Sequence, residues 1–121
     1  MIEWPLAELI DRLSILMLKR DRSTTGEAFA AECDRLEHEA RHRLDGYRRH
    51  LVALLAVNAR IWDLESDIRA GKEGRLGLEE VGRRALAIRD INAERIALKN
   101  AVARLVGEFA DVKVDHASAA C

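Results

Sequence analysis

The chain has 121 residues, 49% hydrophobic and 34% charged, with a formal net charge of -1. That balance suits one folded domain over residues 1–121 and argues against a disordered chain; with no surplus of basic charge it also argues against broad nucleic-acid binding. Aromatic residues make up only 4% and there is one proline, which favours helices over a β-sandwich, and no apolar run approaches the ~18–20 residues of a membrane span.

Pro5 suits the first turn of a helix, where its missing N–H is not needed. Leu6, Leu9, Ile10, Leu13, Leu16 and Met17 follow at helical spacing, predicting a first helix that runs to about Arg22. Ser23-Thr24-Thr25-Gly26 breaks it, and Thr24 followed by Glu27 has the form of a capping box for the next helix. An apolar stripe then continues from Phe29 through Cys33, Leu36, Ala40, Leu44, Tyr47, Leu51, Leu54, Asn58, Ile61, Glu65 and Ile68. As one helix it would hold ~45 residues and reach ~67 Å, too long for a domain of this size, so a bend or short turn is expected near Asp45-Gly46. Ala70-Gly71-Lys72-Glu73-Gly74-Arg75-Leu76-Gly77 is expected to be a loop. Its glycines lack the strand and the pattern of a phosphate cradle, and a helix C-cap with a turn is the plainer account. A last helix is expected from Leu78 to about Glu108, with a loosely held tail from about residue 111. The whole reads as an all-α, antiparallel up-down bundle of about four helices.

The last helix carries the most informative pattern. Leu78, Val81, Ala85, Ile88, Asn92, Arg95, Lys99, Val102, Val106 and Phe109 step by three and four, marking one buried face. Its middle three members are an amide and two cations, which cost several kcal/mol to bury without partners, on the order of the usual transfer penalty. In an up-down bundle Glu8 and Asp11 on the first helix, and Asn58 and Glu65 on the third, fall within a few turns of Asn92, Arg95 and Lys99. Trp62 lies beside the third helix's stripe, with Asp67 and Arg69 close by. Three carboxylates (Glu8, Asp11 and Glu65) are thus expected to face Arg95 and Lys99. A mutually satisfied polar layer, which fixes register and helix order, is one account; a ligand-binding or catalytic role is the other, with Lys99 the member most able to change protonation.

Other candidates are weaker. Asp34, His38 and His42 recur every four residues and could line up as metal ligands, but a solvated helix surface explains them better. Cys33 sits in an apolar stripe and reads as a small core residue, while Cys121 is terminal and has no built site around it. Two cysteines make no disulfide framework, and the start Met1-Ile2-Glu3-Trp4-Pro5 has no signal-peptide pattern, so a cytoplasmic, reducing compartment is expected. The clusters Arg41-His42-Arg43, Arg48-Arg49-His50 and Arg83-Arg84 read as solvated faces.

Three stretches taken together carry a resemblance. They are Glu8-Leu9-Ile10-Asp11-Arg12-Leu13-Ser14-Ile15-Leu16, Val57-Asn58-Ala59-Arg60-Ile61-Trp62-Asp63-Leu64-Glu65-Ser66-Asp67-Ile68-Arg69, and Ile91-Asn92-Ala93-Glu94-Arg95-Ile96-Ala97-Leu98-Lys99. In their order and spacing the chain resembles an uncharacterised bacterial all-α family, a domain of unknown function, from about Pro5 to Val114. The positions matching that pattern are Glu8, Asp11, Lys19, Asn58, Trp62, Glu65, Asp67, Arg69, Asn92, Arg95 and Lys99. Met17 and Ala93 depart from it, the second where the family commonly has Asp, so chemistry needing that carboxylate is not implied for this chain. The family tends to carry a looser connection near Asp45-Gly46, and its members are often encoded beside surface-polysaccharide glycosyltransferases, which implies a pathway and not a reaction.

The expectation is therefore a small helical binding or assembly module, a homodimer with no resident cofactor, that engages a protein partner or a small phosphorylated ligand. The alternative is an enzyme whose carboxylates position a divalent metal on a phosphorylated or nucleotide-sugar substrate. In a monomer Leu54, Leu55, Ile61, Leu64 and Ile68 on helix three, with Leu78, Val81, Leu86 and Ile88 on helix four, are expected to stay partly exposed, as at an interface.

Overall fold

The computed structural model describes residues 4–70 and 77–108, and within them the protein is four helices with no strand. They are α1 (Leu6–Arg22), α2 (Gly26–Leu44), α3 (Arg48–Ala70) and α4 (Leu78–Leu105). The glycine-rich stretch 71–76, Phe109 of the α4 stripe and the expected tail from 111 lie outside the described residues.

α1 is the axis of the bundle. It packs against all three other helices, and α3 and α4 pack against each other, whereas α2 leans chiefly on α1. The sequence of α1 explains this place. Leu6, Ala7, Leu9, Ile10, Asp11, Leu13, Ser14 and Leu18 are all buried, covering far more of the helix than one amphipathic stripe. α2 buries only Cys33, Ala40 and Leu44, a narrow strip that can serve one neighbour. Each large aliphatic side chain buried this way contributes roughly 1.5–3 kcal/mol, and Ile10, Leu13, Leu44, Leu54 and Val102 are sealed from solvent.

Side-chain contacts set the directions. Arg43 of α2 donates to the Trp4 carbonyl oxygen, and Lys19 lies over Phe29, so α2 runs antiparallel to α1. Asn58 meets Asp11 and Ser14 while Arg22 meets Asp63, so α3 runs parallel to α1. Arg60 meets Glu94 and Asp67 meets Arg84, so α4 returns antiparallel to α3. The topology is the expected up-down-up-down.

The connections follow local chemistry. The stripe from Phe29 to Ile68 is broken where expected: α2 stops at Leu44, and Gly46 takes a φ of 85° that favours glycine. The capping box at Thr24 and Glu27 does not form. Thr25 is the N-cap and makes no side-chain cap bond; its N–H and hydroxyl are instead engaged by the Ser23 hydroxyl. What shapes this corner is close approach, because a Cβ at Gly26 would lie 2.2 Å from the Arg20 carbonyl oxygen. α4 ends three residues earlier than expected. Gly107, at φ 73°, closes it in a Schellman turn, with the Gly107 N–H donating to the Arg104 carbonyl and the Glu108 N–H to the Ala103 carbonyl at 2.7 Å. That turn delivers Glu108 to the start of α1, where its carboxylate accepts from Leu6 N–H at 2.7 Å and Ala7 N–H at 3.3 Å. α1 begins behind Pro5, which has no side chain able to cap, so α4 supplies the cap from the far end of the chain.

The first half of the α4 stripe is not covered. Leu78 is 92% exposed, Ala85 is exposed, and Val81 and Ile88 are only half-buried; Leu86, off the stripe, is 53% exposed. α1 ends at Arg22, while α3 runs to Ala70 and α4 starts at Leu78, so the tip of their hairpin extends past it. Ile61, Leu64 and Ile68 share this half-buried state, whereas Leu54, expected on the open face, is sealed in the core beneath α1.

Candidate functional site

The polar members of the α4 stripe meet α1 and α3 in one connected cluster around Asp11. That residue is 1% exposed. Arg95 holds it as a two-pronged fork, Nε to Oδ1 at 2.9 Å and Nη2 to Oδ2 at 2.6 Å. The Asn58 amide donates to Oδ1 at 3.1 Å and to the Ser14 hydroxyl oxygen at 2.8 Å, while Ser14 donates to the Asp11 carbonyl oxygen at 2.6 Å. Lys99 Nζ donates to Glu8 Oε2 at 2.8 Å and stands 3.7 Å from Asp11 Oδ2. Glu8 is held on its other oxygen by Arg12 at 3.0 Å, and Asn92 accepts from Arg95 Nη1 at 3.3 Å. The register of three helices produces this. Glu8 and Asp11 are one turn apart on α1, Asn92, Arg95 and Lys99 occupy two successive turns of the antiparallel α4, and Asn58 enters from α3.

The electrostatics favour ionised carboxylates. Burial alone would push the Asp11 carboxyl up, but the Arg95 fork and the Asn58 amide outweigh it and leave it below its ordinary value. The hydrogen bond from Lys99 lowers Glu8. The bond to Asp11 raises Arg95 in turn. Both oxygens of Asp11 and both oxygens of Glu8 are thus committed to neighbouring donors. One buried polar atom nearby in sequence is unmatched: Asn100 Oδ1 has no hydrogen-bond partner among the described residues.

Of the residues singled out in the sequence, Glu8, Asp11, Asn58, Asn92, Arg95 and Lys99 come together here. Glu65 does not. It is exposed beside Ile68 and Arg69, because it stands two turns, about 10.5 Å, beyond Asn58 along α3 and out of reach of Asp11. Arg69 is exposed as well, and Asp67 is taken up by Arg84 across the hairpin. Trp62 is half-buried and outside the hydrogen-bonded cluster. Ser14, Arg12 and Glu108 were not anticipated. Ser14 could have been found, since it continues the three-residue step of Glu8 and Asp11; Glu108 could not, since its contact partner lies more than 100 residues earlier.

Asp34, His38 and His42 are exposed on α2, and among the described residues no three His, Cys, Asp or Glu side chains converge as a ligand set for a metal. Cys33 is fully buried, and burial pushes its thiol up, away from the reactive thiolate form. No described helix is long and apolar enough to cross a membrane. Compared with known proteins, the chain matches no family model, no curated protein and no solved structure.

Proposed function

We propose that this chain is a small helical assembly module that pairs with a second copy of itself through the projecting α3–α4 hairpin, and that it serves bacterial surface-glycan synthesis in the cytosol. The pathway rests on the resemblance carried by its three sequence stretches. The pairing rests on one observation: the hairpin carries Ile61, Leu64, Ile68, Leu78, Val81 and Ile88 half-buried or exposed. An apolar face of this kind, rimmed by charges, is the usual mark of an interface. Its rim mixes Asp63, Asp67 and Glu80 with Arg60, Arg83 and Arg84, so two copies can meet without a net like-charge penalty. The Asp11 cluster is assigned a structural part in this reading. Its carboxylates spend their oxygens on α1, α3 and α4 and lock the hairpin to the bundle.

Light scattering at micromolar concentration tests the pairing. The expected mass is twice 13.6 kDa, and a clean 13.6 kDa monomer overturns it. A thermal-shift screen of nucleotide sugars with and without Mg²⁺ tests the assembly reading against an enzyme. A flat screen is expected, and a metal-dependent rise of several degrees would move the assignment to an enzyme acting on a phosphorylated substrate.

A further inference from the structure

A groove of about 340 Å³ runs between α1 and α2, away from the hairpin. Ile15 and Leu16 of α1 and Leu36 of α2 form its apolar floor, with Trp4 at one end. The α1 wall is basic and the α2 wall mainly acidic. Arg12 and Lys19 line the α1 wall, and Glu32 and Glu39 line the α2 wall with Arg35 between them. The antiparallel register set by the Arg43–Trp4 and Arg20–Cys33 contacts brings Arg12 level with Glu39 and Lys19 level with Glu32. Yet no ion pair crosses the groove among the described residues. Arg12 turns to Glu8 and stacks on Trp4 at 4.2 Å, and Lys19 lies over Phe29 at 5.5 Å.

The spacing identifies the shape of the occupant. Arg12 and Lys19 are seven residues apart, as are Glu32 and Glu39, so each wall repeats its charge about every 10.5 Å along a helix. Seven residues is the repeat of a helix packed against two others, whose apolar seam fills the floor while its flanking positions pair with the walls. A small anion would be drawn by one wall and repelled by the other. A helix with edges of opposite sign satisfies both.

We infer that the α1–α2 groove docks an amphipathic helix of a partner protein, acidic along the edge that meets Arg12 and Lys19 and basic along the edge that meets Glu32 and Glu39. The inference is independent of the hairpin pairing, which uses another surface.

The test uses the full chain and fluorescence anisotropy with three labelled synthetic helices of about three heptads. All three carry the same Leu/Ile stripe; one has Glu on one edge and Lys on the other, one has Glu on both, and one has Lys on both. The mixed helix should bind about tenfold tighter than either uniform helix, because each uniform helix sets like charges against one wall. Lys19→Glu should shift preference toward the all-Lys helix, and Glu32→Lys toward the all-Glu helix. Both positions are on helix surfaces, and thermal melts monitored by circular dichroism confirm that the fold persists. Three equal affinities, no binding, or a ranking that ignores the charge reversals would overturn the inference. So would a loss of self-association in Lys19→Glu by light scattering, which would make the occupant a second copy. Failure here leaves the hairpin pairing standing, since that is read from the mass alone.

Discussion

Replacing Arg95 by Met removes both prongs that hold Asp11 and leaves a carboxylate 1% exposed in the centre of the bundle. Stranding a buried charge costs about 3–5 kcal/mol. Two features move the expectation to the lower end. Lys99 already stands 3.7 Å from Oδ2, and Arg95 is itself 28% exposed, so water reaches the vacated space. The expected loss is about 3 kcal/mol in urea denaturation at pH 7, with an unchanged m value. Asp11→Leu combined with Arg95→Met removes both charges. Asn58 then keeps Ser14 at 2.8 Å and Lys99 keeps Glu8 at 2.8 Å, so stability should return to within about 1 kcal/mol of the parent. Glu65→Leu serves as the control; exposed and outside the cluster, it should change stability by no more than about 0.5 kcal/mol. The pH dependence adds a second reading. In the parent, Asp11 and Glu8 sit below their ordinary values. Their contribution is fully present above the unfolded pKa values of about 4 and is lost as pH falls through the lower folded ones. In Arg95→Met the sign reverses: burial is no longer offset by the fork, the folded pKa of Asp11 rises, and protonation relieves the strain. The deficit relative to the parent should therefore shrink as pH is lowered from 7 toward about 4. An Arg95→Met protein as stable as the parent, or a deficit that does not change with pH, would refute the clamp. Asp11, Asn58, Asn92 and Lys99 would then be a site held at a cost to stability.

Glu108→Ala removes the cap that α4 lends to α1 and should cost about 1–2 kcal/mol in the same denaturation assay; no loss would mean that water caps Leu6 and Ala7 equally well. Gly26→Ala drives a Cβ to 2.2 Å from the Arg20 carbonyl oxygen and should cost about 1–3 kcal/mol as the α1–α2 corner opens, measured by the same denaturation assay. Leu78→Glu, at a position 92% exposed, should leave the fold intact and halve the mass in light scattering; a mass unchanged from the parent would place the interface elsewhere.

The four helices were legible because helices are local. The three- and four-residue spacing of Leu6, Leu9, Ile10 and Leu13, or of Leu51, Leu54 and Asn58, announces a buried face regardless of what covers it. The need for a break in the long stripe followed from its length, and Asp45-Gly46 marked the place. The polar string of α4 was legible for the same reason, since Asn92, Arg95 and Lys99 interrupt an apolar period and burying them demands partners. Which partners answer was decided by the packing. Glu65 stands two turns beyond Asn58 and meets solvent, while Ser14, inconspicuous in a run of leucines and isoleucines, closes the cluster. Glu108 and the start of α1 are joined only because α4 runs antiparallel to α1 and a Schellman turn aims the carboxylate back. The central place of α1 and the opposed charges of the α1–α2 groove have the same origin. Periodicity tells each helix which face to bury, but helix lengths and the register between neighbours, set by the summed fit of all the faces, decide which side chains meet.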